Sequence, residues 1–181
     1  MKLFIGCSAN EDIPSKYIDD CRKFLDELFK RDNDLVFGAC NKGLMGLAYN
    51  IALKNKRNII GIYPEIYEYE ANELSCEKIS TKTVNDRTSE LIKNSDVLIF
   101  LPGGIGTVYE LFTVIENKRG KEFNKPIIIY NSCGYFDKLL EFLGLMSNEK
   151  FVSNEVLDCF YVCDNAIDAI MYIDAYFVND R

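Results

Sequence analysis

Short apolar runs alternate with segments of helical periodicity along almost the whole chain, and this alternation restricts the fold more than any other feature. The apolar runs have the length of buried strands and lie at 3–5, 35–37, 59–63, 97–101, 127–130 and 159–162. The segments with helical periodicity span 13–30, 44–54, 88–94, 108–118, 136–146 and 166–176. Apolar strands joined by helices are typical of a parallel sheet buried on both faces. We therefore expect an α/β fold, a Rossmann-like doubly wound parallel sheet with helices on both faces.

Residues 64–83 interrupt this alternation. Four glutamates occur from Glu65 to Glu73, and neither a helical nor a strand period is evident. We expect a loop region that borders the functional site. The alternative is an acidic segment that is only exposed to solvent. Because 181 residues without a visible linker correspond to one domain, we predict a single Rossmann-like domain over 1–181.

The charge and hydropathy of the chain restrict its partners. Twenty-one basic and 28 acidic residues give a net charge of −7, which repels nucleic acid and anionic lipid. The apolar run near the amino terminus is shorter than a signal-peptide core, and no stretch approaches the ~18 apolar residues of a membrane span. We expect no nucleic-acid partner, no membrane partner and a cytoplasmic location.

The sequence lacks histidine, which removes the commonest metal ligand and every Ser-His or Cys-His catalytic arrangement. The seven cysteines are odd in number and contain no C-x-x-C pair, so neither a zinc cage nor a disulfide framework fits. We expect no bound metal and reduced thiols that mostly pack as small apolar side chains. Acid–base chemistry is left to carboxylates, tyrosine, lysine or cysteine.

A glycine-bearing loop and the start of a helix follow the fourth apolar run, with the sequence Pro-Gly-Gly-Ile-Gly-Thr-Val-Tyr-Glu at 102–110. In an open parallel sheet, ligands bind beyond the carboxyl ends of the strands, and glycines beside a helix amino terminus suit a phosphate. The candidate phosphate-binding residues are Gly103, Gly104, Gly106 and Thr107. Glu110 lies one turn into the helix, where its carboxylate either acts near the loop or forms a capping box with Thr107.

Two other loops carry candidate residues. After the first apolar run, the hydroxyl of Ser8 and nearby backbone amides could complete a polar cradle for a ligand. After the second run, Gly43 and Gly46 permit a close approach of the backbone, either to a ligand or only to neighbouring elements.

Arg87 lies at the start of the short helix before the fourth apolar run. A cation there opposes the helix dipole, so its presence requires a reason. It either holds a phosphate or carboxylate, or pairs on the surface with Asp86 or Glu90.

The motif at 102–110 matches P-G-G-x-G-T-x-x-E, and the chain resembles the Lonely Guy family of cytokinin riboside 5′-monophosphate phosphoribohydrolases, many of which carry an older lysine decarboxylase label. Gly-Leu-Met-Gly at 43–46 is similar to the family's glycine-rich turn and adds Met45 as a candidate substrate-binding residue. Lys-Pro at 125–126 and Gly-Tyr-Phe-Asp at 134–137 are similar to two further family motifs. Arg87 lies 23 positions before Glu110 (110 − 87 = 23), as the family's catalytic arginine does.

The resemblance implies a homodimer with sites near the subunit interface. It also implies hydrolysis of the N-glycosidic bond of a purine or cytokinin riboside 5′-monophosphate, with release of free base and ribose 5-phosphate. The single domain 1–181 would then be a nucleotide-binding domain. The loop 103–107 would hold the phosphate, and Arg87 and Glu110 would be the catalytic pair. The resemblance implies no cofactor, and nothing in the sequence marks a lysine for pyridoxal phosphate.

The chain departs from the family pattern in two places. Asn85 and Asp86 precede Arg87 where the family has His or Glu, and Thr88 follows it where the family has a basic residue. In the loop at 38–40, alanine and cysteine replace two glycines. These departures leave open which base the protein prefers and whether it is active. The alternative function is therefore a non-catalytic binder of a phosphorylated ligand, such as a molybdenum cofactor carrier or a nucleotide sensor.

Overall fold

The structure, a computed structural model, describes residues 1–179, so the last two residues of the predicted domain lie outside the described residues. The strands are β1 (Lys2–Gly6), β2 (Asp34–Phe37), β3 (Ile59–Pro64), β4 (Glu77–Thr81), β5 (Val97–Phe100), β6 (Ile127–Tyr130) and β7 (Tyr161–Cys163). The helices are α1 (Ser15–Lys30), α2 (Gly43–Lys54), α3 (Glu68–Asn72), α4 (Val84–Lys93), α5 (Ile105–Arg119), α6 (Asp137–Asn148) and α7 (Ala166–Asn179). Every predicted strand and helix is present, with ends that differ by a few residues.

The strands of the described residues form one parallel sheet in the order β4-β3-β2-β1-β5-β6-β7. The chain runs outward from β1 to β4, returns to the other side of β1, and then runs outward to β7. The order therefore reverses between β1 and β5, which pair from Leu3 with Val97 to Gly6 with Phe100. At such a reversal the loops on the two sides diverge and leave a crevice at the carboxyl ends of the strands.

Helices cover both faces of the sheet, because successive strand side chains point to opposite faces and both sets are apolar. On one face α1, α2 and α7 pack against a core that includes Leu3 and Ile5. On the other face α4, α5 and α6 pack against a core that includes Phe4 and Phe100. The expected doubly wound Rossmann-like fold is confirmed.

The prediction of a loop over 64–83 is wrong. A 3₁₀ turn at Glu65–Tyr67 and helix α3 follow β3, and β4 then pairs in parallel with β3 at the edge of the sheet. Helix α3 has five residues, too few to show a period in the sequence. Most side chains of β4 are exposed, so its sequence lacks the apolar run that marks a strand buried on both faces.

None of the helices formed by residues 1–179 has the length and apolar character that a bilayer crossing requires. Over the same residues, no group of three or more Cys, Asp or Glu side chains is arranged to hold a metal ion. All seven cysteines are free thiols. Cys7, Cys21, Cys159 and Cys163 are buried in the way expected of small apolar side chains, whereas Cys133 is exposed.

Candidate active site

Arg87 and Glu110 meet in a largely buried ion pair that joins α4 to α5. The Nη2 group of Arg87 donates a hydrogen bond to Oε1 of Glu110. Their side chains are 14% and 5% exposed. The alternative surface pairing of Arg87 with Asp86 or Glu90 is wrong, because Asp86 instead completes a capping box at the start of α4. Arg87 is the fourth residue of that helix and so follows its first three residues, where the helix dipole disfavours a cation most.

The electrostatic environment of this pair favours a carboxylate that readily takes up a proton. Burial raises the pKa of the Glu110 carboxyl above its usual range, and the charge and hydrogen bond of Arg87 oppose that rise without cancelling it. The guanidinium is only partly engaged, since its Nε is buried and finds no hydrogen-bond partner within residues 1–179. Arg87 therefore retains a donor for a further acceptor.

Helix α5 begins at the glycine loop without a side-chain cap. Gly104 is the N-cap residue and Ile105 the first helical residue, so Thr107 lies inside the first turn, where its buried side chain packs on Gly103. The alternative of a capping box between Thr107 and Glu110 is wrong, because Thr107 does not occupy the cap position. The N–H groups of the first turn have no partner within the helix and suit an anion.

The glycines of this loop differ in their surroundings. A Cβ atom on Gly103 would overlap the side chain of Thr107, so the fold itself requires glycine there. A Cβ atom on Gly104 or Gly106 would meet no atom within 4 Å. The packing of the chain therefore does not require glycine at 104 or 106, whereas a ligand that approaches the backbone would.

A cavity of about 200 Å³ lies between the loop after β1 and the loop after β5. Ser8 and Gly104 line it, and Tyr17 and Tyr135 form part of its wall. The hydroxyl of Tyr135 donates to the carbonyl of Gly103 at 2.7 Å, and its ring packs edge-on against Tyr17 with 5.4 Å between the ring centres. The sequence analysis predicts neither tyrosine as a site residue; for Tyr135 the signal is the motif at 134–137.

The start of α2, which follows the loop after β2, packs against the loop after β1 that lines the cavity. The backbone N–H of Met45 donates to the carbonyl of Ser8 at 3.1 Å, and the Ser8 hydroxyl accepts from the N–H of Asn10 at 3.0 Å. Gly43 has a φ of +56°, and a Cβ atom there would overlap the backbone of Asn10. The close approach expected at Gly43 is therefore an approach to the loop after β1.

Comparison with known proteins decides the family. A family model described as possible lysine decarboxylase matches residues 45–173. The cytokinin riboside 5′-monophosphate phosphoribohydrolase LOG3 of Arabidopsis thaliana is 30% identical over 179 residues, which cover 97% of this chain and 82% of that protein. The chain belongs to the Lonely Guy family. The cytokinin riboside 5′-monophosphate phosphoribohydrolase LOG1 of Arabidopsis thaliana is 35% identical over 155 residues, which cover 83% of this chain and 71% of that protein.

Solved structures with low sequence identity share the fold of this Lonely Guy protein. The Moco carrier protein of Chlamydomonas reinhardtii superposes with a TM-score of 0.72 at 16% identity and covers 98% of both chains. The molybdenum cofactor binding protein of Rippkaea orientalis gives a TM-score of 0.69 at 19% identity, over 97% of this chain and 96% of that one. These likenesses concern the fold alone.

The fold brings the residues expected from the Lonely Guy resemblance into two adjoining groups. Arg87 and Glu110 form the buried pair. Ser8 and the loop 103–104 line the cavity. The remaining candidates lie beside these groups. Gly106 and Thr107 are in the first turn of α5, and Gly43 and Met45 contact the loop after β1.

Proposed function

We propose that this protein is a phosphoribohydrolase that cleaves the N-glycosidic bond of a purine or cytokinin riboside 5′-monophosphate. The observation that carries the proposal is the buried Arg87–Glu110 pair, which lies one turn beyond a helix start that is uncapped and suited to a phosphate. Family membership supports it, because relatives at 30% and 35% identity are named for this activity.

The substrate phosphate is assigned to the start of α5. The unpaired N–H groups of the first turn and the positive end of the helix dipole attract an anion. The open space at Gly104 and Gly106 lets phosphate oxygens reach the backbone. Ser8 lines the same cavity as Gly104 and adds a hydroxyl to the site.

Glu110 is assigned to the bond-breaking step. As the bond between ribose C1′ and the base nitrogen breaks, its electron pair leaves with the base and positive charge develops on the sugar. The Glu110 carboxylate stabilises that charge and accepts a proton from the water whose oxygen bonds to C1′. The departing base takes a proton from solvent. The raised pKa of Glu110 makes its carboxylate a better proton acceptor than an ordinary glutamate.

Arg87 is assigned to holding Glu110 and the substrate. An arginine keeps its positive charge at neutral pH and does not deliver a proton. Its charge favours the ionised form of Glu110, which the mechanism requires. Its unpartnered Nε offers a donor to a ribose or phosphate oxygen.

The test compares two glutamate variants on the same helix. Glu110→Gln should lower the release of free base from AMP and isopentenyl-AMP by about 10³-fold, while AMP binding measured by calorimetry stays within a few-fold. Glu116→Gln removes an exposed carboxylate paired with Arg119 on α5 and should leave the rate unchanged. Chromatography of the base and of ribose 5-phosphate gives the rates. Base release by Glu110→Gln at the wild-type rate would contradict the assignment.

The same assay separates the alternative functions. A nucleotide sensor would bind AMP and release no base. A molybdenum cofactor carrier would bind a phosphorylated pterin tightly and leave AMP intact. Either result with the wild-type protein overturns the proposed hydrolase.

We also propose that the protein forms a homodimer through the exposed face of α5. Ile105 is 88% exposed and forms an apolar groove with Val108 and Phe112. A second copy seated there would border the glycine loop and the helix that carries Glu110. Sedimentation should show a dimer for the wild type and for the control Phe142→Glu on α6, and a monomer for Ile105→Glu. A dimer in all three would rule out this face.

A further inference from the structure

A second side-chain hydrogen bond joins the two helices that carry the buried pair. The hydroxyl of Tyr109 on α5 donates to Oδ1 of Asn85 on α4 at 2.6 Å. Tyr109 directly precedes Glu110, and Asn85 lies two residues before Arg87. Among residues 1–179, these two contacts are the side-chain hydrogen bonds between α4 and α5. The Tyr109–Asn85 bond therefore spans the same helix–helix gap as the ion pair, less than one turn away.

The guanidinium of Arg87 is not fully oriented by its own contacts. An arginine is held in a fixed plane when two of its nitrogens bind the same partner, but here only Nη2 donates to Glu110. Nε is buried without a partner, and Nη1 lies 3.6 Å from the point where a Cβ atom on Gly38 would be. The position of Arg87 over Glu110 thus depends on where α4 lies relative to α5.

Helix α4 is short, and its two ends are held in different ways. Ten-residue helices are marginal on their own, so tertiary contacts fix their position. At the carboxyl end, the Lys125 ammonium group donates to the carbonyls of Ile92 and Ser95 at 2.6 and 2.7 Å. At the amino end, the capping box at 83–86 lies within the helix and its cap and does not attach it to α5. Beside the ion pair itself, the bond from Tyr109 to Asn85 is the side-chain hydrogen bond that attaches this end to α5 among residues 1–179.

We propose that Tyr109 and Asn85 are positioning residues, whose hydrogen bond fixes the separation of α4 and α5 and keeps Arg87 on the Glu110 carboxylate. The effect on the pair follows from the geometry, and the effect on catalysis rests on the proposed function.

Tyr109→Phe tests the proposal because it keeps the ring and removes only the donor. A looser pair should lower kcat for AMP about tenfold, with KM within twofold, since small displacements of a catalytic group reduce the rate of the chemical step. The acid limb of the rate profile should move to higher pH, because Arg87 then opposes the burial of Glu110 less effectively. A purely structural role would leave the acid limb in place.

Tyr176→Phe is the matched control, because it removes another tyrosine–asparagine bond, from Tyr176 to Asn124 at 2.6 Å, that does not involve α4 or the pair. It should leave kcat and the acid limb unchanged. Asn85→Ala should reproduce the effect of Tyr109→Phe, and the double variant should be no slower than either single variant. Additive losses would contradict a shared role.

Titration of the Glu110 carboxyl by NMR, assigned with Glu110→Gln, gives a readout that does not need activity. The pKa of Glu110 should be higher in Tyr109→Phe than in the wild type and unchanged in Tyr176→Phe. An unchanged Glu110 titration in Tyr109→Phe overturns the positioning role. Failure of the wild type to release base overturns the proposed function instead, so the two failures are distinguishable.

Discussion

The loop after β2 and the loop after β5 both contain glycines beside a helix start, yet those glycines have different surroundings. A Cβ atom on Gly43 would overlap the backbone of the loop after β1, and one on Gly46 would overlap the backbone of Asn41 in its own loop; Gly43 has a φ of +56° as well. A Cβ atom on Gly104 or Gly106 would enter empty space. The comparison separates glycines that the fold requires from glycines that leave room the fold does not use. We expect substitutions of Gly43 and Gly46 to change stability and substitutions of Gly104 and Gly106 to change ligand binding.

The largest effect is expected at Gly43. Alanine there must adopt a left-handed backbone conformation and overlap the backbone of Asn10, so Gly43→Ala should lower the free energy of unfolding by about 3 kcal/mol. Urea unfolding measures the change. Gly144→Ala is the control, because Gly144 lies inside α6 with open space around it and should gain up to ~1 kcal/mol from helix propensity. Equal midpoints for Gly43→Ala and the wild type would remove the contrast between the loops.

Gly104→Ala should have the opposite signature. The added methyl group occupies space assigned to the phosphate, so KM for AMP should rise about tenfold, equivalent to about 1.4 kcal/mol. The free energy of unfolding should fall by no more than about 1 kcal/mol, the cost of alanine at an N-cap. Steady-state kinetics and urea unfolding are measured on the same preparation. An unchanged KM would show that the open space at Gly104 is not a phosphate site.

Gly46→Ala tests whether the second glycine at the start of α2 affects stability and not substrate binding. Its Cβ atom would lie 2.7 Å from the backbone carbon of Asn41, a clash that costs about 2 kcal/mol. Because Gly46 lies in α2, alanine recovers up to ~1 kcal/mol of helix propensity. The net loss of stability should be about 1 kcal/mol, with KM for AMP unchanged. A raised KM would place this loop in contact with the substrate.

The smallest effect is expected from pH, at the buried pair of Arg87 and Glu110 between α4 and α5. Burial raises the pKa of Glu110, so the folded protein retains a proton at pH values where the unfolded chain has lost it. The free energy of unfolding of the wild type, relative to Glu110→Gln, should therefore fall as pH rises above about 4.3, and level off above the folded pKa. Arg87 opposes the rise in pKa and keeps the effect small. A constant difference across pH 4–8 would contradict a raised pKa.

The central strands and long helices could be predicted because their own sequences carry the signal. Runs such as Ile127–Tyr130 are apolar throughout, as strands buried on both faces are. Strand β4 could not be predicted, because an edge strand exposes most of its side chains and has no such run. Helix α3 is shorter than two turns and shows no period.

The candidate site was predictable only in part. The phosphate loop is local, so its glycines and the following helix are visible in the sequence. The ion pair of Arg87 with Glu110 joins residues that are 23 positions apart on two helices. The family resemblance, and no local pattern, indicates this pair. The contacts of Gly43 with Asn10 and of Tyr135 with Gly103 also join distant segments. No period or composition in either segment reveals such partners.

The position of β1 in the sheet affects how the chain folds as it leaves the ribosome. β1 is synthesised before every other strand, but it lies between β2 and β5, and β5 ends only at Phe100. At about 5–20 residues per second, one edge of β1 stays unpaired for on the order of ten seconds. An unpaired apolar edge can recruit strands from other chains. The nascent protein is therefore most prone to aggregate before β5 emerges.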